Sequence, residues 1–97
     1  MKDFLPNWMK GLNQEDLEFI KTFIVQSGSL KEMATIYDVS YPTIRMRLDK
    51  VIEKIQLSDN KKDDSYIIQV KAMALDNKIS IEAARELIEN YRLLKED

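Results

Sequence analysis

The stretch Leu30-Lys31-Glu32-Met33-Ala34-Thr35-Ile36-Tyr37-Asp38-Val39-Ser40-Tyr41-Pro42-Thr43-Ile44-Arg45-Met46-Arg47-Leu48 decides how this chain folds. With Leu30 as the first position, Ala34 stands fifth, Asp38 ninth, Val39 tenth and Ile44 fifteenth. A small residue at the fifth position lets two helices cross closely. The ninth position asks for a backbone of positive φ, and Asp tolerates this better than most residues with a side chain. Val39 and Ile44 are expected to anchor the turn and the following helix to a core. The spacing is that of a helix-turn-helix, which leaves the start of its last helix free to enter a DNA major groove.

Working outward, each helix has its own start and stop signals. Ser29 with Glu32 forms an S-x-x-E capping box for the helix that ends at Asp38. Ser40 caps a helix predicted over 40–56, with Pro42 in its first turn and Ile44, Leu48, Val51 and Ile55 as its buried stripe. Upstream, Asn13 caps a helix whose apolar stripe is Leu17, Ile20, Phe23 and Ile24, with Leu12 and Leu17 as a hydrophobic staple and Gly28 as its stop. Ahead of it, Phe4 to Met9 reads as a short apolar arm interrupted by Pro6, its Phe4 and Trp8 serving a core or interface. Downstream, residues 58–65 contain no apolar side chain and read as a solvated linker, including the Lys61-Lys62-Asp63-Asp64 run. Two further helices follow, over 66–75 and 81–94, with Asp76-Asn77-Lys78 as the turn and Ser80 as cap. The expected architecture is all-α: a tri-helical helix-turn-helix domain with its N-terminal arm over 1–57, a linker, and a helical hairpin over 66–97.

Composition narrows the function. The chain has 97 residues, no cysteine and no histidine, which excludes thiolate or imidazole metal sites, thiol nucleophiles and an imidazole base. There is no Gly-rich phosphate loop and no nucleophile elbow, and the carboxylates fall on helix surfaces, first turns or the linker. We therefore expect no enzyme, no metal and no cofactor. Two Gly and two Pro argue for few sharp turns. The longest apolar run, Ala72 to Leu75, is far short of a membrane span or a signal peptide, so a cytoplasmic protein without membrane insertion is expected. The net charge is −2, yet residues 40–56 carry Arg45, Arg47, Lys50 and Lys54 against Asp49 and Glu53. The positive charge lies on the helix that should face DNA, and every flanking segment is acidic.

Around that helix, Pro42, Thr43, Met46 and Lys50 project away from the apolar stripe at about 100° per residue, with Arg45 and Arg47 on its two flanks. The candidate DNA-binding set is Lys31, Ser40, Tyr41, Pro42, Thr43, Arg45, Arg47 and Lys50. Arg45, Thr43 and Tyr41 stand nearest the bases, and Arg47, Lys50 and Lys31 are placed to hold phosphates of double-stranded DNA. A second assignment stays open, in which Arg45 and Arg47 pair with Asp49 and other surface acids and the unit binds no nucleic acid. Met46 contacts a thymine methyl or packs on a neighbouring element.

The run Gly28-Ser29-Leu30-Lys31-Glu32, then Val39-Ser40-Tyr41-Pro42-Thr43-Ile44-Arg45, then Arg47-Leu48, resembles a bacterial family known only as a domain of unknown function. The resemblance covers residues 4 to 56 and implies a helix-turn-helix transcriptional regulator. Many members begin with a cysteine-rich zinc ribbon, and this chain has none of those cysteines. The same stretch resembles, more loosely, the fourth region of bacterial sigma factors. Residues Lys78-Ile79-Ser80-Ile81-Glu82-Ala83-Ala84 resemble the turn of short helical hairpins that serve as appended interaction modules. A hairpin this small cannot bury its own apolar face, so Ile67, Ile68, Val70, Leu75, Leu87, Ile88, Tyr91 and Leu94 need cover from the first domain or from a second copy. The expected function is a DNA-binding regulator acting as a homodimer. The alternative is an adaptor that binds a protein of the transcription or membrane-stress machinery through the hairpin.

Overall fold

The computed structural model describes residues 5–59 and 64–95, and every regular element among them is helical. A 3₁₀ turn, Asn7–Met9, precedes α1 (Gln14–Val25), α2 (Leu30–Tyr37), α3 (Tyr41–Ser58), α4 (Ser65–Leu75) and α5 (Ile81–Lys95). The all-α architecture read from the sequence is therefore the one observed. The chain divides into two compact units. One takes Leu12–Glu53; the other joins the N-terminal segment up to Gly11 to the chain from Lys54 onward. The division falls inside α3, ahead of the linker where the sequence places it. Residues 60–63, which make up half of that linker, and Phe4 lie outside the described residues.

In the first unit, α1 opens on a reciprocal cap. Asn13 Oδ1 accepts the Asp16 N–H at 2.9 Å, and Asp16 Oδ2 accepts the Asn13 N–H at 3.0 Å. The buried stripe of α1 differs from the expected one. Phe19 is wholly buried, and Ile24 lies exposed at the helix end. Residues 16, 19, 20 and 23 satisfy the helical period as well as 17, 20 and 24 do, and the set that carries the large ring faces inward. Leu12, Met33, Ala34, Ile44 and Val51 complete the buried apolar set of this unit. Val39, expected in the core, is exposed; its backbone supplies the anchor instead, donating to Ala34 O at 3.0 Å.

The helix stops share one device. At the end of α1 the N–H of Ser27 bonds Ile24 O and that of Gly28 bonds Phe23 O. At the end of α2 Asp38 bonds Thr35 O and Val39 bonds Ala34 O. At the end of α4 Asn77 bonds Ala74 O and Lys78 bonds Met73 O. Each is a Schellman closure with a left-handed residue: Ser27 at φ 54°, Asp38 at 54° and Asn77 at 60°. Asp38 adopts the conformation expected of it. At the α1 stop the expected Gly28 is also left-handed, at φ 79°, and its N–H makes the closing bond that reaches further back, with Ser27 entering the same region one residue earlier.

In the second unit, α4 and α5 bury Ile67, Val70, Ala84 and Ile88 between them, with Ala74, Ile79 and Tyr91 packed alongside. The Tyr66 and Tyr91 rings stack at 4.4 Å within the hairpin. Asp64 caps α4 through Ile67 N–H, and Ser80 caps α5 through Ala83 N–H. Of the residues expected to need an outside partner, Ile67, Ile68, Val70 and Ile88 are buried within the chain, and Leu75 and Tyr91 are half-buried. The hairpin is covered more fully than its size suggests because other parts of its unit pack on it: a Cβ on Gly11 would press on Ile68 and run into Ser58 Oγ. Leu87 and Leu94 remain exposed. Lys54 is also sealed here, 1% exposed, with Nζ 2.6 Å from Asp76 Oδ2. No helix among the described residues is long and apolar enough to cross a membrane.

Candidate nucleic-acid interface

The first turn of α3 is built to be polar and presented outward. Thr43 N–H donates to Ser40 Oγ at 3.3 Å, and the Ser40 hydroxyl donates to Thr43 Oγ1 at 2.9 Å. Ile44 N–H closes the turn on Ser40 O at 3.1 Å. Ser40, Tyr41, Pro42, Thr43, Arg45 and Met46 are exposed, whereas Ile44 among them is buried. One apolar anchor thus fixes a turn whose other side chains face solvent. Three backbone N–H groups at a helix start also favour an anion nearby, through their unpaired hydrogens and the helix dipole. Here Ser40 Oγ accepts the Thr43 N–H and Pro42 has no N–H, so side chains make up most of what this turn offers for recognition.

The cations of α3, and Lys31 on α2, differ in how they are held. Arg45 reaches back to Asp49 at 3.3 Å, both side chains about half exposed. An exposed i,i+4 pair of this kind contributes only about 0.3–0.5 kcal/mol, so Arg45 can exchange Asp49 for a phosphate or a guanine edge at little cost. Lys50 is half-buried and Lys31 on α2 is exposed. Lys54 is withdrawn into the second unit by Asp76. Arg47 lies with its guanidinium 5.2 Å from the Phe19 ring centroid and 5.8 Å from that of Tyr37. Its far end stands 3.8 Å from Glu15, and its Nε is buried with no acceptor among the described residues. The two rings are themselves neighbours at 5.8 Å, so the guanidinium rests on an aromatic pair.

The sequence set is therefore brought together only in part. Ser40, Tyr41, Pro42, Thr43 and Arg45 share the exposed start of α3, with Lys50 further along the helix. The sequence reading missed the contact between Arg47 and the rings of Phe19 and Tyr37. Its signal was present in the position of Arg47 on the flank of the apolar stripe, where a long side chain reaches neighbouring helices.

Three helices joined through a left-handed Asp38, with a buried Ile44 and an exposed first turn on the last of them, make a helix-turn-helix domain. Residues 12–58 match the model of a family described as a domain of unknown function, DUF2089, of helix-turn-helix type. Over this segment the chain is similar to that uncharacterised helix-turn-helix family. No curated protein and no solved structure matches the chain.

Proposed function

We propose that the protein is a sequence-specific DNA-binding transcriptional regulator that lays the start of α3 in the major groove. The observation that carries this reading is the exposed turn Ser40–Arg45, set on the buried Ile44 immediately after a left-handed helix-turn-helix corner. Arg45 reads a guanine edge or grips a phosphate, and the Tyr41 and Thr43 hydroxyls hydrogen-bond beside it. Lys31 and Lys50 hold phosphates. Binding is the whole of the activity, with no catalytic step and no cofactor. Against a DNA site obtained by selection from random duplexes, Arg45→Ala should weaken binding roughly tenfold or more, the loss of one well-placed contact. An unchanged affinity at moderate salt would overturn the assignment.

The regulator acts as a homodimer through the hairpin. Leu87 and Leu94 stand two helical turns apart on α5, and Tyr66 and Met73 are exposed at the same spacing on α4. Two copies would present two α3 helices to half-sites about 34 Å apart. Sedimentation should show a dimer for the protein and a monomer for Leu87→Glu with Leu94→Glu; a monomeric parent protein would refute it. A second reading, an adaptor for a protein of the transcription machinery, is favoured by an open groove of about 590 Å³ lined by Lys71, Arg85, Ile88, Glu89, Arg92 and Leu93. A selection that enriches no DNA sequence, beside a stable protein partner, would establish the adaptor instead.

A further inference from the structure

We propose that Arg47 is a positioning residue: braced on Phe19 and Tyr37, it sets the angle at which α3 leaves the turn, and it makes no DNA contact of its own. The inference rests on the DNA-binding reading for its consequence but not for its geometry. Phe19 belongs to α1, Tyr37 is the last residue of α2, and Arg47 belongs to α3, so one side chain touches all three helices of the unit. Tyr37 immediately precedes Asp38, the left-handed residue of the corner. A brace at that point fixes the two helices on either side of the turn, and with them the direction in which Tyr41, Thr43 and Arg45 point.

The chemistry suits an arginine. A guanidinium is flat, delocalised and weakly hydrated, so it lies on ring faces at a small desolvation cost, whereas an ammonium is compact and strongly hydrated. Phe19 is 0% exposed. For Arg47 to swing out to a phosphate, it would leave both rings and its Glu15 partner, and would uncover the most deeply buried ring of the unit. Arg45 has the opposite disposition, exposed and, among the described residues, held by Asp49 along its own helix.

The test compares Arg47→Met with Arg45→Met in the full chain. Met keeps an unbranched apolar stem and removes the charge. Arg47→Met should lower the thermal midpoint by about 4–8 °C, shift the Phe19 and Tyr37 ring resonances, and weaken binding to the selected DNA site roughly tenfold. The slope of log affinity against log salt should not change, because no phosphate contact is lost. Arg45→Met should leave those rings in place and, if Arg45 grips a phosphate, reduce the slope by about 0.9. Arg47→Lys, which keeps a cation over the rings, should recover part of the thermal loss. A slope reduced by about 0.9 in Arg47→Met, with the ring resonances unmoved, would overturn the proposal. If the parent protein binds no DNA, the DNA-binding reading fails by itself. The ring shifts and thermal midpoints then still decide the brace: unmoved in Arg47→Met, they overturn it.

Discussion

Arg47 and Lys54 stand seven residues apart on one side of α3, and each serves a different unit of the molecule. Arg47 keeps about a third of its side chain in solvent and is held by two ring faces, with Glu15 at 3.8 Å as a loose, exposed partner. Lys54 is sealed and has a carboxylate oxygen at 2.6 Å. The difference follows from the head groups. A delocalised charge spreads over a π face without needing a counter-ion in contact, whereas a buried point charge needs an anion within hydrogen-bond range. Both cations count toward the basic balance of residues 40–56, and both are engaged inside the protein. The charge that reaches solvent from this helix is smaller than its composition suggests, and Arg45 and Lys50 supply it.

Breaking the Lys54 side of the comparison should have the larger effect. Asp76→Ala leaves the buried ammonium without that carboxylate and should destabilise the protein by about 3 kcal/mol or more in denaturant unfolding. Replacing both partners, Lys54→Met with Asp76→Leu, should return most of that loss, because two apolar groups carry no desolvation debt into the interior. A mild effect of Asp76→Ala would mean that Lys54 reaches water or another acceptor with ease, and the contrast with Arg47 would collapse. Arg47→Met belongs below it, at about 1 kcal/mol, the scale of a cation over an aromatic face.

Much of the fold was legible because its signals are local. The caps Asn13, Ser29, Ser40 and Ser80 are single side chains bonding a backbone N–H three residues on, and each was read in place. Asp38 was read for a similar reason: spacing fixes where the corner falls, and few residues tolerate it. The scarcity of glycine misled, since Ser27 and Asn77 enter the left-handed region without it. What stayed hidden depends on neighbours far along the chain. Phe19 and Ile24 fit equally good helical stripes, and the choice between them is made by what packs opposite. Lys54 finds Asp76 twenty-two residues on, and Arg47 finds Phe19 twenty-eight residues back. A count of charges sees four cations over residues 40–56, where the fold has already engaged Arg47 and Lys54. At the candidate interface, the first turn of α3 was therefore legible and the role of Arg47 was not.

The smallest expected effect lies where a third cation meets a ring and a carboxylate in the open. Lys95 Nζ sits 5.5 Å from the Tyr91 ring and 3.8 Å from Asp64 Oδ2, and the Tyr91 hydroxyl donates to that same oxygen at 2.6 Å. The Tyr91 bond is the main cause that holds the Asp64 carboxyl below its ordinary value; partial burial opposes it, and Ile67 N–H and Lys95 assist it. The same bond raises the Tyr91 phenol. The signs are opposite. The depressed carboxyl contributes stability above its ordinary titration range, lost as pH falls through the lowered value; the raised phenol contributes below about 10, lost as pH rises through the raised one. Tyr91→Phe keeps the ring over Tyr66 and removes only the donor. Asp64 should then titrate closer to the ordinary carboxylate range, followed by its carboxyl carbon resonance, while unfolding at neutral pH changes little because the site is exposed to solvent. An Asp64 titration that does not move would show that the Tyr91 bond is unoccupied in solution. Lys95 would then be an exposed cation beside a ring with no preference between them, unlike either Arg47 or Lys54.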